Sequence, residues 1–248
     1  MRRTTAFTLV ELLVALAITV VLVLLLASVV AATLGAWTQG RNRLDTSSKG
    51  RQILGRLSDE LKGATANSAL GGSQIQFVEN ATLGAVPSPT PGTAENAFFV
   101  APYPNLGAGD LCTIAYSLDT GTHELKRAFR SSDQVWTDPA ADRYQVAGYT
   151  YKSTDWHVIS TGVTQFEVKC FSQNDLDHDL TPADTWDSES IDIFMAGKAP
   201  RRIVLRVQVL DDRTATQLAG MAVGSTPYNL IVQRWAQEFT SDISLPPP

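Results

Sequence analysis

Phe7-Thr8-Leu9-Val10-Glu11, followed by Leu12 to Leu34 with only Thr19, Ser28 and Thr33 as polar side chains, is the stretch on which the reading of this chain turns. As a helix rising 1.5 Å per residue, Leu12 to Leu34 spans about 35 Å, enough for a hydrocarbon core of about 30 Å. A secretory signal peptide has a shorter apolar stretch, typically about 7–15 residues, ending at a small-residue cleavage site. Here the run is longer and an acid stands inside its leading edge. Trp37, just beyond the run, suits the far membrane interface, where an amphipathic ring is favoured. Positive charge does not orient the span, because Arg2 and Arg3 precede it while Arg41, Arg43, Lys49 and Arg51 follow.

Glu11 is the anomaly. A carboxylate within a membrane helix costs roughly 2.5–3.5 kcal/mol on insertion scales, which marks it as functional and in need of a partner. A carboxylate snorkelling at headgroup level is the competing reading.

From Trp37 to about Lys62 the pattern stays helical. Leu54, Leu57 and Leu61 form an apolar stripe that can pack on a domain. Gly35, Gly40, Gly50 and Gly55 each weaken that helix by about 1 kcal/mol relative to Ala, so bending or local melting is expected there. The whole reads as one helix of about 55 residues, its first half in membrane.

Beyond it, the 248-residue chain has room for one medium-sized globular domain. Hydrophobic residues are 44% and charged residues 18%, a globular composition. A Gly/Ser/Ala linker near Ala64 to Ser73 leads into short strand-like runs broken by turn clusters. Gln74 to Val78 and Ala97 to Ala101 are candidate strands on either side of a loop with Pro87, Pro89 and Pro91. Leu111 to Leu118 and His123 to Arg130 read as a hairpin, with Gly121 in its Asp119-Thr120-Gly121-Thr122 turn. Trp156 to Ser160, Val163 to Phe171, Ile191 to Met195 and Arg201 to Leu210 are further strands, and Tyr228 to Phe239 fits helix or strand. The fold class is therefore α+β: a long N-terminal helix packed on an antiparallel β-sheet head.

Net charge is −5, and losing Arg2 and Arg3 would leave 18 basic against 25 acidic residues, or −7. Such a balance offers no electrostatic footprint for nucleic acid. Two cysteines, Cys112 and Cys170, exclude a disulfide-dense scaffold and paired zinc motifs. Both fall on the apolar side of alternating segments, which leaves two readings open: one disulfide in an oxidising compartment, or two buried thiols.

Catalytic signals are missing. His123, His157 and His178 show no paired ligand spacing, and GxSxG, GxxxxGK[ST] and GxGxxG do not occur. No enzyme is expected. One acidic stretch, Asp175 to Asp192, holds seven carboxylates without an intervening Lys or Arg. Asp175, Asp177 and Asp179 resemble the opening of a calcium loop, since Ca²⁺ takes several carboxylate and carbonyl oxygens. Leu180 stands where an EF-hand has Gly, and Trp186 where it has Glu, departures that favour a solvated acidic loop over a calcium site.

Phe-Thr-Leu-Val-Glu before an apolar helix resembles the leader and methylation motif of type IV pilins and type II secretion pseudopilins. The resemblance implies a prepilin peptidase cutting between Ala6 and Phe7, N-methylation of Phe7, and subunit docking through Glu11. Gly is usual before the cut; Ala6 is the residue nearest to it in size. The later order also resembles the minor pseudopilin J family: Ile114 to Leu118, Leu125 to Arg127, Gly162 to Val168, Trp186, then Pro200 to Leu205. That implies a leader (1–6), a transmembrane helix (7–36), its continuation (37–63) and a β-rich periplasmic head (64–248). It further implies other pseudopilins and the inner-membrane secretion assembly platform as partners, near the tip of a pseudopilus that supports protein export. Alternatives are a minor type IV pilin, for adhesion, motility or DNA uptake, and a periplasmic binding domain or enzyme merely anchored by the helix.

Overall fold

A computed structural model describes residues 9–65, 78–79, 96–102, 111–137, 153–171 and 200–245. They fall into two units, one ending at Asp45 and one beginning at Thr46. Helix α1 is Leu9–Leu61. Gly35, Gly40, Gly50 and Gly55 are all helical, so the local melting expected at the glycines does not occur.

The unit from Thr46 onward is an α+β head with two antiparallel sheets. The first runs in sequence order through β1 (Val78–Glu79), β2 (Asn96–Pro102), β3 (Leu111–Asp119), β4 (Glu124–Arg130) and β5 (Trp156–Thr161). The second consists of β6 (Val163–Phe171), β7 (Arg202–Val209) and β8 (Gln237–Ser244). Short helices α2 (Ser132–Thr137), α3 (Asp212–Leu218) and α4 (Thr226–Trp235) and a 3₁₀ turn at Ser153–Asp155 complete it. The expected strands at Ile191 to Met195, most of the Gln74 to Val78 strand, and the proline-containing loop lie outside the described residues.

Alternation builds the core. On β7 Ile203, Leu205, Val207 and Val209 are buried, while Arg202, Val204, Arg206 and Gln208 between them are only partly covered. On β6 Phe166, Val168 and Cys170 point the same way. Ile114, Tyr116 and Leu118 of β3 and Leu125 of β4 join them from the first sheet, with Ile53, Leu54, Leu57 and Leu61 of α1. The stripe read from the sequence is thus the seam of the core, with Leu57 and Leu61 fully buried. At about 25 cal/mol per Å² of apolar surface, each fully buried leucine stabilises by roughly 1.5–3 kcal/mol.

Gly50 gives that seam its close approach. It is buried, and a Cβ on it would lie 2.7 Å from Phe239 Cγ and closer still to Cδ2 and Cε2. A position that looked like a helix weakness is where α1 settles onto β8. About two turns later the Ser58 and Ser241 hydroxyls are 3.1 Å apart, a second tie to the same strand.

The two sheets are joined at Gly162, whose φ of +75° is the left-handed region that glycine enters without strain. Its carbonyl accepts from Leu210 N at 2.8 Å, and a Cβ there would lie 2.9 Å from Leu210 O. In the β3–β4 turn, Gly121 is present as expected, but the residue at positive φ (56°) is His123. Asp119 explains this: its Oδ1 accepts from the amides of Gly121 and Thr122, so a side chain closes the turn and the reversal is displaced to His123.

Tyr228 to Phe239 is neither all helix nor all strand. Pro227 in the first turn starts α4, Ala236 leaves helical geometry, and β8 begins at Gln237. The sequence reading missed α3. Asp211 caps it, accepting from Thr214 N at 3.0 Å and from Thr214 Oγ1 at 2.6 Å.

Candidate assembly helix and its seat

In the unit ending at Asp45, no residue from Leu9 to Leu34 is buried. Leu9 is 81% exposed, Leu26 65% and Leu34 54%, so this is not the core helix of a globular protein. Among the described residues it is the one helix long and apolar enough to cross a membrane. Its hydroxyls suit that setting. Thr19 Oγ1 donates to Ala15 O, Ser28 Oγ to Leu25 O and Thr33 Oγ1 to Val29 O, each at 2.8 Å. In hydrocarbon an unsatisfied polar group costs several kcal/mol, and these bonds remove that cost within the helix itself.

Glu11 lies in the first described turn of α1. Ala6 and Phe7, the cleavage and methylation residues, lie outside the described residues. So do Asp175, Asp177 and Asp179, the candidate calcium ligands, together with His178 and Trp186. Among the described residues no group of three or more His, Cys, Asp or Glu is placed to hold a metal ion. Cys112 on β3 and Cys170 on β6 are both fully buried thiols on strands of different sheets, with no disulfide between them. His157 is exposed on β5, whereas His123, expected at a surface or on a strand, is 5% exposed in the turn. Its ring lies 5.6 Å from that of Tyr228 on α4, and burial lowers its pKa despite the Asp119 charge.

Among the described residues is a largely buried polar group that the sequence did not disclose. Glu60 near the end of α1 accepts from Tyr116 OH at 2.6 Å and from Arg127 Nε at 3.2 Å. Arg127 Nη2 lies 3.0 Å from Glu60 Oε1 as an ion pair, though not aligned to donate. Burial, then the Glu60 charge and hydrogen bond, push the Tyr116 phenol far above its ordinary range. Burial works against the Arg127 charge, but the hydrogen bond and charge of Glu60 outweigh it, and its pKa is raised. One carboxylate thus fastens α1 to β3 and β4 while the leucine stripe supplies the apolar contact. Tyr116 and Arg127 lie 56 and 67 residues beyond Glu60, and no local spacing could have linked them to it.

Residues 1–34 match the family model of the prokaryotic N-terminal methylation motif. That motif indicates a type IV pilin-like or pseudopilin family. The match ends within the apolar helix. No curated protein and no solved structure matches the chain. The methylation motif, the apolar helix and the antiparallel head are consistent with a membrane-anchored, single-pass protein of pilin-like fold.

Proposed function

We propose that the chain is a minor pseudopilin, a non-catalytic structural subunit of a type II secretion pseudopilus near its tip. The observation that carries this is the N-terminal helix: every apolar side chain from Leu9 to Leu34 is exposed, every hydroxyl within it is internally bonded, and a carboxylate stands in its first turn. A pure anchor has no use for that carboxylate. An assembling helix does. After cleavage at Ala6, Phe7 would carry a free amino group near the membrane, and a neighbour's Glu11 would neutralise it. Attraction between two such charges is far stronger in a low-dielectric setting than in water.

In this reading the peptidase and the methylated Phe7 belong to maturation, the head faces the periplasm, and the secretion platform in the inner membrane drives growth. The order of the sequence stretches from Ile114 to Leu205, which resembles the J family, is what supports a J-type minor subunit. A minor type IV pilin is the second reading, favoured by the same motif, though the net charge of −5 argues against a DNA-binding head.

Co-purification of the full-length protein from its own membranes tests the proposal. Other proteins with the same N-terminal motif and a secretion ATPase complex should come with it. Recovery with pilus-type subunits instead would favour the second reading. Recovery alone, with a head that works when detached from the helix, would contradict both.

A further inference from the structure

Within the head, α1 does not close fully against the last strand of the first sheet. Between Lys49, Gln52 and Arg56 of α1 and Val158, Ile159 and Thr161 of β5 lies an open cavity of about 360 Å³, floored by Ile53. That is within the size range of ligand sites. Two cations and an amide line one wall, and no carboxylate is among the lining residues, in a chain whose net charge is −5.

One carboxylate reaches the mouth. Asp212 Oδ1 accepts from Lys49 Nζ at 2.5 Å and from Thr161 Oγ1 at 3.4 Å, with its own side chain 75% exposed. Exposed pairs of this kind are weak and yield to a better-placed acid. Arg56, 46% exposed, meets Glu60 at 3.4 Å, a loose contact for an arginine whose partner is already engaged by Tyr116 and Arg127. Both cations therefore have bonding capacity toward the cavity.

The opposite wall is a strand edge. β5 pairs with β4 and is the last strand of its sheet among the described residues, so one row of its N–H and C=O groups faces away from β4. The register slips where Ser160 and Val158 meet Leu125 and Lys126, leaving Ile159 as the extra residue, and Val158 is 49% exposed. Extended peptides dock on such edges through main-chain bonds, with side-chain pockets providing selectivity.

We propose that this groove binds an extended segment of a different protein, laid along β5, with a carboxylate of that segment between Lys49 and Arg56. Among the described strand side chains, the carboxylates of Asp119, Glu124, Glu167, Glu238 and Asp242 are each engaged by a lysine or arginine of their own chain, so these do not supply the segment. The groove lies wholly within the head, so its chemistry is independent of how the helix assembles.

The test uses the full-length protein in detergent micelles and fluorescent hexapeptides of alternating Thr and Val with a central Glu, Gln or Lys, read by polarisation. The Glu peptide should bind at least tenfold more tightly than the Lys peptide. Lys49→Glu with Arg56→Glu should reverse that order, and Asp212→Ala should tighten the Glu peptide severalfold by removing the resident acid. N-methylation of alternate peptide amides should weaken the Glu peptide, because it removes main-chain bonds to β5. Equal binding of Glu and Lys peptides, or no binding of the Glu peptide at millimolar concentration, would overturn the proposal. Competition by free glutamate as effective as the peptide would also overturn it, leaving a small-anion site. Self-association that Lys49→Glu abolishes would assign the groove to a second copy instead.

Discussion

Gly50 and Gly55 are five residues apart on one helix, and replacing either with Ala should have opposite consequences. Helix propensity alone favours Ala by about 1 kcal/mol at both. At Gly55 nothing lies within 4 Å of a new Cβ, so Gly55→Ala should stabilise the head by about that amount. At Gly50 the same Cβ would lie 2.7 Å from Phe239 Cγ. Because Cγ is the attached end of the ring, turning the ring about its own axis cannot clear the overlap. Either Phe239 leaves its place against the core or α1 lifts from β8. Overpacking of this kind costs about 1–3 kcal/mol, which outweighs the propensity gain and leaves a net loss of about 1 kcal/mol. For a head of this size that is a fall in Tm of about 2–4 °C. In a Phe239→Ala background the obstacle is gone, and Gly50→Ala should then stabilise by about 1 kcal/mol, a coupling of about 2 kcal/mol. Urea unfolding of the chain from Gly40 onward, which should be soluble and unfold cooperatively, measures all of these. If Gly50→Ala stabilises the unmodified head as much as Gly55→Ala does, the close packing of α1 on β8 is wrong.

Removing the Glu60 carboxylate should be more costly. Glu60→Ala leaves the Arg127 guanidinium, itself 8% exposed, without its partner, and the head should lose about 3 kcal/mol in the same urea assay, with Glu60→Gln losing less. His123 sets a pH dependence: its folded pKa lies below the ordinary value of about 6.5, so its contribution is fully present above that value. It should be lost progressively as pH falls from about 6.5 to the folded pKa, and His123→Asn, which tolerates the positive φ, should flatten that part of the stability profile. Mass spectrometry of the native protein should find Phe7 as the first residue, carrying one methyl group; an intact Met1 or a cut after Ala36 would contradict the processing.

How much of this was legible in the sequence follows from the range of the interactions. The membrane helix and the leucine stripe are patterns of period 3.6, and β6 and β7 of period 2, so a reading over ten residues finds them. Val163–Phe171 lies where the alternation placed it. The Tyr228 to Phe239 stretch was ambiguous because its scattered apolar residues fit both periods, and it proved to contain the junction of a helix and a strand. Gly50 was misjudged for a different reason: propensity sees the helix alone, whereas Phe239, nearly two hundred residues later, decides what glycine is for. Glu60 looked like one more charge on the polar face between Leu57 and Leu61. Its role depends on Tyr116 and Arg127 arriving from a hairpin, which only the sheet register brings together. For Glu11 the position was itself the signal, since an acid in an apolar run is costly wherever the chain folds.

Glu11 is also where the account is tested most directly. Photo-crosslinking from the α1 segment in living cells, comparing wild type with Glu11→Ala, separates docking from insertion. The account predicts that the variant is still cleaved after Ala6 and inserts at least as well, because an expensive charge has been removed. It should lose its crosslinks to neighbouring subunits and fail to support export, since the Phe7 amino group of a neighbour is left unpaired. A variant that is processed, crosslinks as the wild type does and sustains export would show that Glu11 is only a surface carboxylate at the membrane boundary, and the assembly role would fall.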